Sequence, residues 1–138
     1  MTAFARERRI RFSDCDPAGI VFYPQYFVMF NGLVEDWISD GLGIPYRQLV
    51  LERRVGLPTV RLEVEFKAVS RLGDAVTLSL GVERLGRSSL TLALRCTGRE
   101  PGDLRMTMRQ VIVTTSLATH KAIALPDDLR DAIARCMA

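Results

Sequence analysis

Two aspartates, Asp14 and Asp16, flank Cys15 in the stretch SDCDPAGIVFYPQYF, Ser13 to Phe27, just ahead of a run that is almost wholly apolar. A carboxylate placed before the start of a buried helix is well placed for chemistry. The helix end offers unpaired N–H groups and a partial positive charge, and such donors hold an oxyanion. The carboxylate itself can attack a carbonyl or deprotonate a water that does. Asp16 and the amides around Tyr23 therefore suit acyl transfer. The alternative is that Asp14 or Asp16 caps a turn through its own backbone, as aspartates commonly do. Residue types alone favour the cap and leave the chemistry open. Cys15 has no neighbouring histidine to activate it, which argues against a thiol nucleophile.

The flanking pattern says what would position these groups. ARERRIRF alternates and ends in apolar residues, predicting a first strand over about Arg6–Phe12 that stops at Asp16, Pro17 and Gly19. Pro24 suits a first helical position. Apolar residues then recur at Phe27, Phe30, Val34, Trp37 and Ile38, a helical spacing, and Gly41 and Gly43 end the helix. Its opening turns, YFVMF, are apolar nearly all round, so the helix should lie inside a sheet that curls about it. IPYRQLVLER reads as a short helix or an irregular segment.

From Val60 the period changes. Val60, Leu62, Val64 and Phe66 alternate with charged residues, as in a half-buried strand. AVTLSLGVERL, SSLTLALRCTG and RMTMRQVIVTTSL continue in that style, separated by the turn-like RLGD, LGR and REPGD, which predicts an antiparallel meander. LPDDLRDAIARCMA closes the chain as a helix. The expected fold is α+β, one antiparallel sheet wrapped around a long central helix, with residues 1–138 as a single domain.

Composition narrows the function classes. Of the 138 residues, 48% are hydrophobic and 25% charged, an ordinary globular balance. No apolar run approaches the roughly 20 residues of a membrane span, and MTAFARERRIRF lacks the apolar core of a secretory signal. A formal charge of +3 is too weak to argue for nucleic acid; it suits an anionic small ligand such as a nucleotide, but a solvated surface that is slightly basic accounts for it more simply. Three cysteines, Cys15, Cys96 and Cys136, fit no zinc spacing and read as reduced thiols, consistent with the cytoplasm. The single histidine, His120, argues against a metal cluster.

The segment RRIRFSDCDPAGIVFYPQYF resembles the active-site segment of the hotdog-fold acyl-CoA thioesterases, especially the Pseudomonas-type 4-hydroxybenzoyl-CoA thioesterases, and the likeness extends more loosely to VIVTTSLATHKAIALPDDL. The resemblance implies a hotdog fold and hydrolysis of a CoA thioester without a cofactor. It implies that Asp16 is the catalytic carboxylate, as nucleophile or general base, and that the backbone N–H of Tyr23 polarises the thioester carbonyl. Gly19 and Ile20 would shape the turn that admits the acyl group, while Asp14 would orient the loop. It also implies a homo-oligomer, a dimer or a dimer of dimers, with sites between subunits.

Three positions depart from the family pattern. Where the 4-hydroxybenzoyl enzymes carry an aspartate that meets the ring hydroxyl, this helix carries Asn31, an uncharged group that still donates and accepts. The family's basic cluster at a strand turn falls on VERLGRSS, where Arg84 and Arg87 would meet the CoA phosphates. Thr59 would face the acyl site, although the step here is Pro-Thr rather than Thr-Pro. Two rivals remain. One is a fatty acyl-CoA or acyl-carrier-protein thioesterase like the relatives of the Tol-Pal system, which lack the Pro-Ala-Gly-Ile spelling. The other is a non-catalytic acyl-CoA-binding module, against which Asp16 beside a helix start argues.

Overall fold

The computed structural model describes residues 3–137. Strand β1 (Phe4–Arg9) is followed by a single tight turn at Phe12–Asp14 and then by helix α1 (Pro24–Asp36), which runs on through a wide turn at Trp37–Gly41. After a helical turn at Gln48–Glu52 come β2 (Val55–Gly56), β3 (Thr59–Phe66), β4 (Ala75–Leu85), β5 (Ser89–Thr97), β6 (Leu104–Val113), β7 (Thr115–Ser116) and α2 (Asp127–Met137). Five strands form one antiparallel sheet in the order β1-β4-β5-β6-β3, and β2 pairs with β7.

The expected α+β architecture is present. One stripe of α1, with Tyr26, Met29, Phe30, Leu33 and Val34, continues into Trp37 and Ile38 and packs on the sheet. The sheet answers in period two, with Val76, Leu78, Leu80 and Val82 on β4, Leu90, Leu92, Leu94 and Cys96 on β5, and Met106, Met108 and Ile112 on β6. Each fully buried aliphatic side chain stabilises by about 1.5–3 kcal/mol, so this single face dominates the fold. Helix α2 packs on β4 through Leu129, Ala132 and Ile133. No helix among the described residues is long and apolar enough to cross a membrane.

Three elements differ from the sequence reading. Strand β1 lies earlier than Arg6–Phe12, because the Asp14 carboxylate captures the Arg11 N–H at 2.8 Å and pulls the chain into a turn, leaving Phe12 exposed. Helix α1 is not enclosed all round: Val28, Asn31 and Glu35 are exposed on its far side. Strands β3 and β4 are not partners in a meander. β3 is the far edge, paired among the described strands only with β6, and three of its apolar residues stay open, Val60 at 61%, Leu62 at 41% and Phe66 at 52% exposure, while Val64 packs partly against the core. Residues 67–74, which include the turn-like RLGD, carry the chain from one edge of the sheet towards the other.

Candidate active site

The loop before α1 is organised by Asp14. Its carboxylate is 4% exposed and accepts from Arg8 Nη2 and from the Arg11 N–H, both at 2.8 Å, while its carbonyl accepts from the Phe22 N–H at 2.9 Å. One aspartate thus ties β1, the tight turn and the approach to the helix together. Cys15 and Val21 pair across the base of the loop. The Cys15 thiol donates to the Arg11 carbonyl at 3.4 Å. Desolvation, with Asp14 and Asp16 alongside, pushes its pKa up, the wrong direction for a nucleophile.

Asp16 heads a five-residue loop closed at both ends. Its N–H donates to the Ile20 carbonyl and its carbonyl accepts from the Gly19 N–H, both at 3.0 Å. Gly19 turns the chain at φ +78°, a left-handed value that a side chain would strain. The Ala18 N–H donates to Asp16 Oδ1 at 2.8 Å. Asp16 therefore is a turn cap, yet only through one oxygen. Its other oxygen has no donor among the described residues, and the side chain is half-buried.

Helix α1 begins next to this loop, with Tyr23 as its first flanking residue. The amides there are spoken for, except one. Phe22 N–H donates to Asp14, Gln25 N–H to the Phe22 carbonyl at 2.8 Å and Tyr26 N–H to the Tyr23 carbonyl at 3.2 Å, while Pro24 has none. The Tyr23 N–H has no acceptor among the described residues. It is the free donor at the positive end of a 13-residue helix.

The residues singled out from the sequence divide between three places. Ile20 and Tyr23 line a cleft of about 300 Å³ with Tyr26, Phe66, Val69 and Ser70. Asp16 is not in its wall; the loop reaches the cleft through Ile20 and Val21. Asn31 and Thr59 share a second cleft of about 590 Å³ with Glu35, Tyr46 and Gln110. Both clefts lie along the gap between the open side of α1 and β3, Phe66 at one end of the strand and Thr59 at the other. A register shift between Thr59 and Arg61 turns Thr59 to this side. Arg84 lies elsewhere, in a groove of about 460 Å³ on the outer sheet face with Arg61, Arg109, Glu63 and Glu83. Arg87 is exposed in the β4–β5 turn, where its carbonyl accepts from the Leu125 N–H at 2.9 Å. Within one chain neither arginine shares a cleft with Tyr23.

Gln110 was not anticipated. It occupies the inward phase of β6, between Met108 and Ile112, at 5% exposure. Its Nε2 donates to Thr59 Oγ1 at 2.7 Å, and its Oε1 is buried without a partner. The signal in the sequence was a polar residue in the apolar phase of RMTMRQVIV.

Similarity to known proteins fits this geometry. A family model described as the thioesterase-like superfamily matches residues 10–133. A 4-hydroxybenzoyl-CoA thioesterase of Pseudomonas sp. strain CBS-3 is 32% identical over 129 residues, covering 88% of this chain and 91% of that one. A 1,4-dihydroxy-2-naphthoyl-CoA hydrolase of Synechococcus elongatus is 28% identical over 133 residues, 95% of each chain. The solved structure of the 4-hydroxybenzoyl-CoA thioesterase from Pseudomonas sp. strain CBS-3 superposes with a TM-score of 0.84 at 28% identity, over 94% of this chain and 98% of that one.

Proposed function

This chain belongs to the thioesterase-like superfamily and is an acyl-CoA thioester hydrolase; on that premise we propose that Asp16 is its catalytic carboxylate, that the Tyr23 N–H is its oxyanion donor, and that the acyl group is a hydroxylated aromatic one. The observation that carries this reading is that one short segment holds both a carboxylate oxygen without a donor and, among the described residues, the one free amide at the start of α1. As a nucleophile, that oxygen attacks the thioester carbon. The C–S bond breaks, its electron pair leaves on the CoA sulfur, and water then cleaves the resulting anhydride. As a general base, Asp16 instead takes a proton from the water that attacks. In both routes the negative charge gathers on the carbonyl oxygen, where a preorganised N–H is worth about 2.7–4 kcal/mol.

The acyl class rests on the second cleft. Asn31, Thr59, Glu35, Tyr46 and Gln110 give it polar groups that a fatty chain leaves unpaired and a ring hydroxyl satisfies. The similar proteins named for hydroxylated aromatic acyl-CoA substrates point the same way. Gly19 and Ile20 admit the acyl end, and Arg84 and Arg87 meet the CoA phosphates.

The whole chain acts as one hotdog unit that assembles into a dimer or a dimer of dimers. The open edge and uncovered apolar side of β3 support this, since an edge strand left bare invites pairing. In such an assembly both clefts lie at the subunit boundary, which is how arginines remote from Tyr23 in one chain would come to serve the site. A CoA substrate and free thiols suit a cytoplasmic setting.

The test is thiol release from a panel of acyl-CoA thioesters. Turnover should be fastest with hydroxybenzoyl and hydroxynaphthoyl groups and slow with decanoyl. Silence across the panel would refute the activity, and a preference for decanoyl would refute the acyl class. Rapid quench of a single turnover with acyl-labelled substrate then separates the two routes, because only a nucleophilic Asp16 carries the acyl group covalently as an anhydride.

A further inference from the structure

The segment between β3 and β4 forms the far wall of the 300 Å³ cleft, through Lys67, Ala68, Val69 and Ser70. It has no helix or strand to hold it, yet it makes a series of main-chain bonds with the Asp16 loop. Val21 N–H donates to the Ser70 carbonyl and Leu72 N–H to the Gly19 carbonyl, both at 2.9 Å, and Ile20 bridges Arg71. The position of the loop therefore depends on the position of residues 67–74. What holds that segment is Arg105, at the start of β6.

Arg105 is 13% exposed at its side chain. Its carbonyl accepts from the N–H groups of Lys67 and Ala68, at 2.8 and 3.1 Å. Its Nη1 faces the Val69 carbonyl at 3.1 Å, Ser70 Oγ at 3.2 Å and Asp74 Oδ2 at 2.9 Å. On the side away from the cleft, Nε and Nη2 make a bidentate pair with Asp103, both at 2.9 Å. Ser70, only 1% exposed, also accepts from the Tyr26 hydroxyl at 2.9 Å. Tyr26 sits in the first turn of α1, three residues after the free Tyr23 amide. With two carboxylates against one guanidinium, the cluster adds no net positive charge near the site. What it supplies is geometry: a planar fork that fixes several acceptors at once, as a lysine does not.

We propose that Arg105 is a positioning residue, which through Ser70 holds both the Asp16–Ile20 loop and the first turn of α1, and so sets the placement of the carboxylate relative to the Tyr23 amide. This rests on the assignment of Asp16 and Tyr23 to catalysis. Misplacement of reacting groups by about 1 Å costs on the order of 100-fold in rate, so loss of one clasp should reduce turnover far more than substrate binding.

Ser70→Ala removes the Oγ link and little else. It should lower kcat about tenfold per folded molecule, with KM changed less than threefold, and should speed amide exchange at Val21 and Leu72. Asp103→Asn breaks an ion pair of comparable size on the remote side of Arg105. It should lower Tm while leaving kcat within twofold of the parent. Arg105→Lys should recover part of the kcat that Arg105→Gln loses. The proposal is wrong if Ser70→Ala keeps the parent's kcat and exchange rates, or if Asp103→Asn loses as much kcat as Ser70→Ala, which would mark a general loss of stability. Absence of turnover in the parent enzyme would instead remove the thioesterase reading. Exchange at Val21 and Leu72 in the same variants then decides by itself whether Arg105 holds the loop.

Discussion

Asp16 has one observed role and one proposed role, which substitution can separate. Its Oδ1 caps the turn by accepting the Ala18 N–H at 2.8 Å, and its second oxygen, which has no donor among the described residues, is the one proposed to react. Asp16→Asn keeps an oxygen in the capping position and removes the charge. Asp16→Ala removes both. The cap is one net hydrogen bond, about 1 kcal/mol, or a shift in Tm of about 4 °C for a chain of this size. The chemistry, if the carboxylate is nucleophile or base, is worth about 10²–10⁴-fold in rate, or about 3–5 kcal/mol. The two variants should therefore diverge in stability and coincide in activity. Asp16→Asn should melt within a degree or two of the parent, Asp16→Ala several degrees lower, and both should lose at least two orders of magnitude in kcat. Thermal melts and thiol release, each per folded molecule, measure this directly. If Asp16→Asn retained near-parental kcat while Asp16→Ala merely melted early, the aspartate would be a cap and nothing more, and the catalytic assignment would collapse.

Other consequences follow from the same geometry. Gln110→Met should raise Tm by several degrees, since it removes an unpartnered buried oxygen worth about 1–3 kcal/mol while the exposed Thr59 keeps water; it should also lower the rate ratio of hydroxybenzoyl to benzoyl thioester, and an unchanged ratio would detach Gln110 from specificity. Tyr23→Pro deletes the free N–H at a residue whose φ of −52° a proline accepts, so kcat should fall about 10²–10³-fold, whereas Tyr23→Ala, which keeps the N–H, should not share that loss. Leu62→Glu, on the open edge strand, should lower the mass seen by light scattering; an unaltered mass would place the subunit contact away from β3. Asp74 and Asp103 have pKa values held below the usual carboxylate range, Asp74 first by the Arg71 N–H and then by Arg105, and Asp103 first by Arg105. Groups with depressed folded pKa values stabilise above their unfolded values and lose that contribution as pH falls through the folded ones. Melting should therefore worsen as acid passes below pH 4, and less so in Asp103→Asn.

The parts of the site that could be read from the sequence are those in which neighbours in the chain act on one another. Asp16, Pro17, Gly19 and Pro24 carry their meaning locally: a cap, a turn, a left-handed glycine and a helix start. The central helix and the inward phases of β4, β5 and β6 were likewise visible, because each is a period imposed by one buried face. What could not be seen are pairings between distant residues. Arg105 meets Val69, Ser70 and Asp74 from more than thirty positions away, so RLGD looked like a tight turn joining two partner strands. The placement of β3 at the far edge is of the same kind, for alternation reports two faces but not which neighbour covers them.

This division explains the shape of the site. The groups proposed to react are encoded in one short segment, whose internal bonds fix the loop but not its distance from anything else. That distance is set from outside, by a segment pinned to β6 and by a donor on α1, the Tyr26 hydroxyl. A substitution at Asp16 should therefore change the chemistry outright, whereas one at Ser70 or Arg105 should leave binding intact and misalign it. If variants at Ser70 instead raised KM with kcat unchanged, the far wall would be a substrate contact only, and the placement of Asp16 would have to be secured by its own loop.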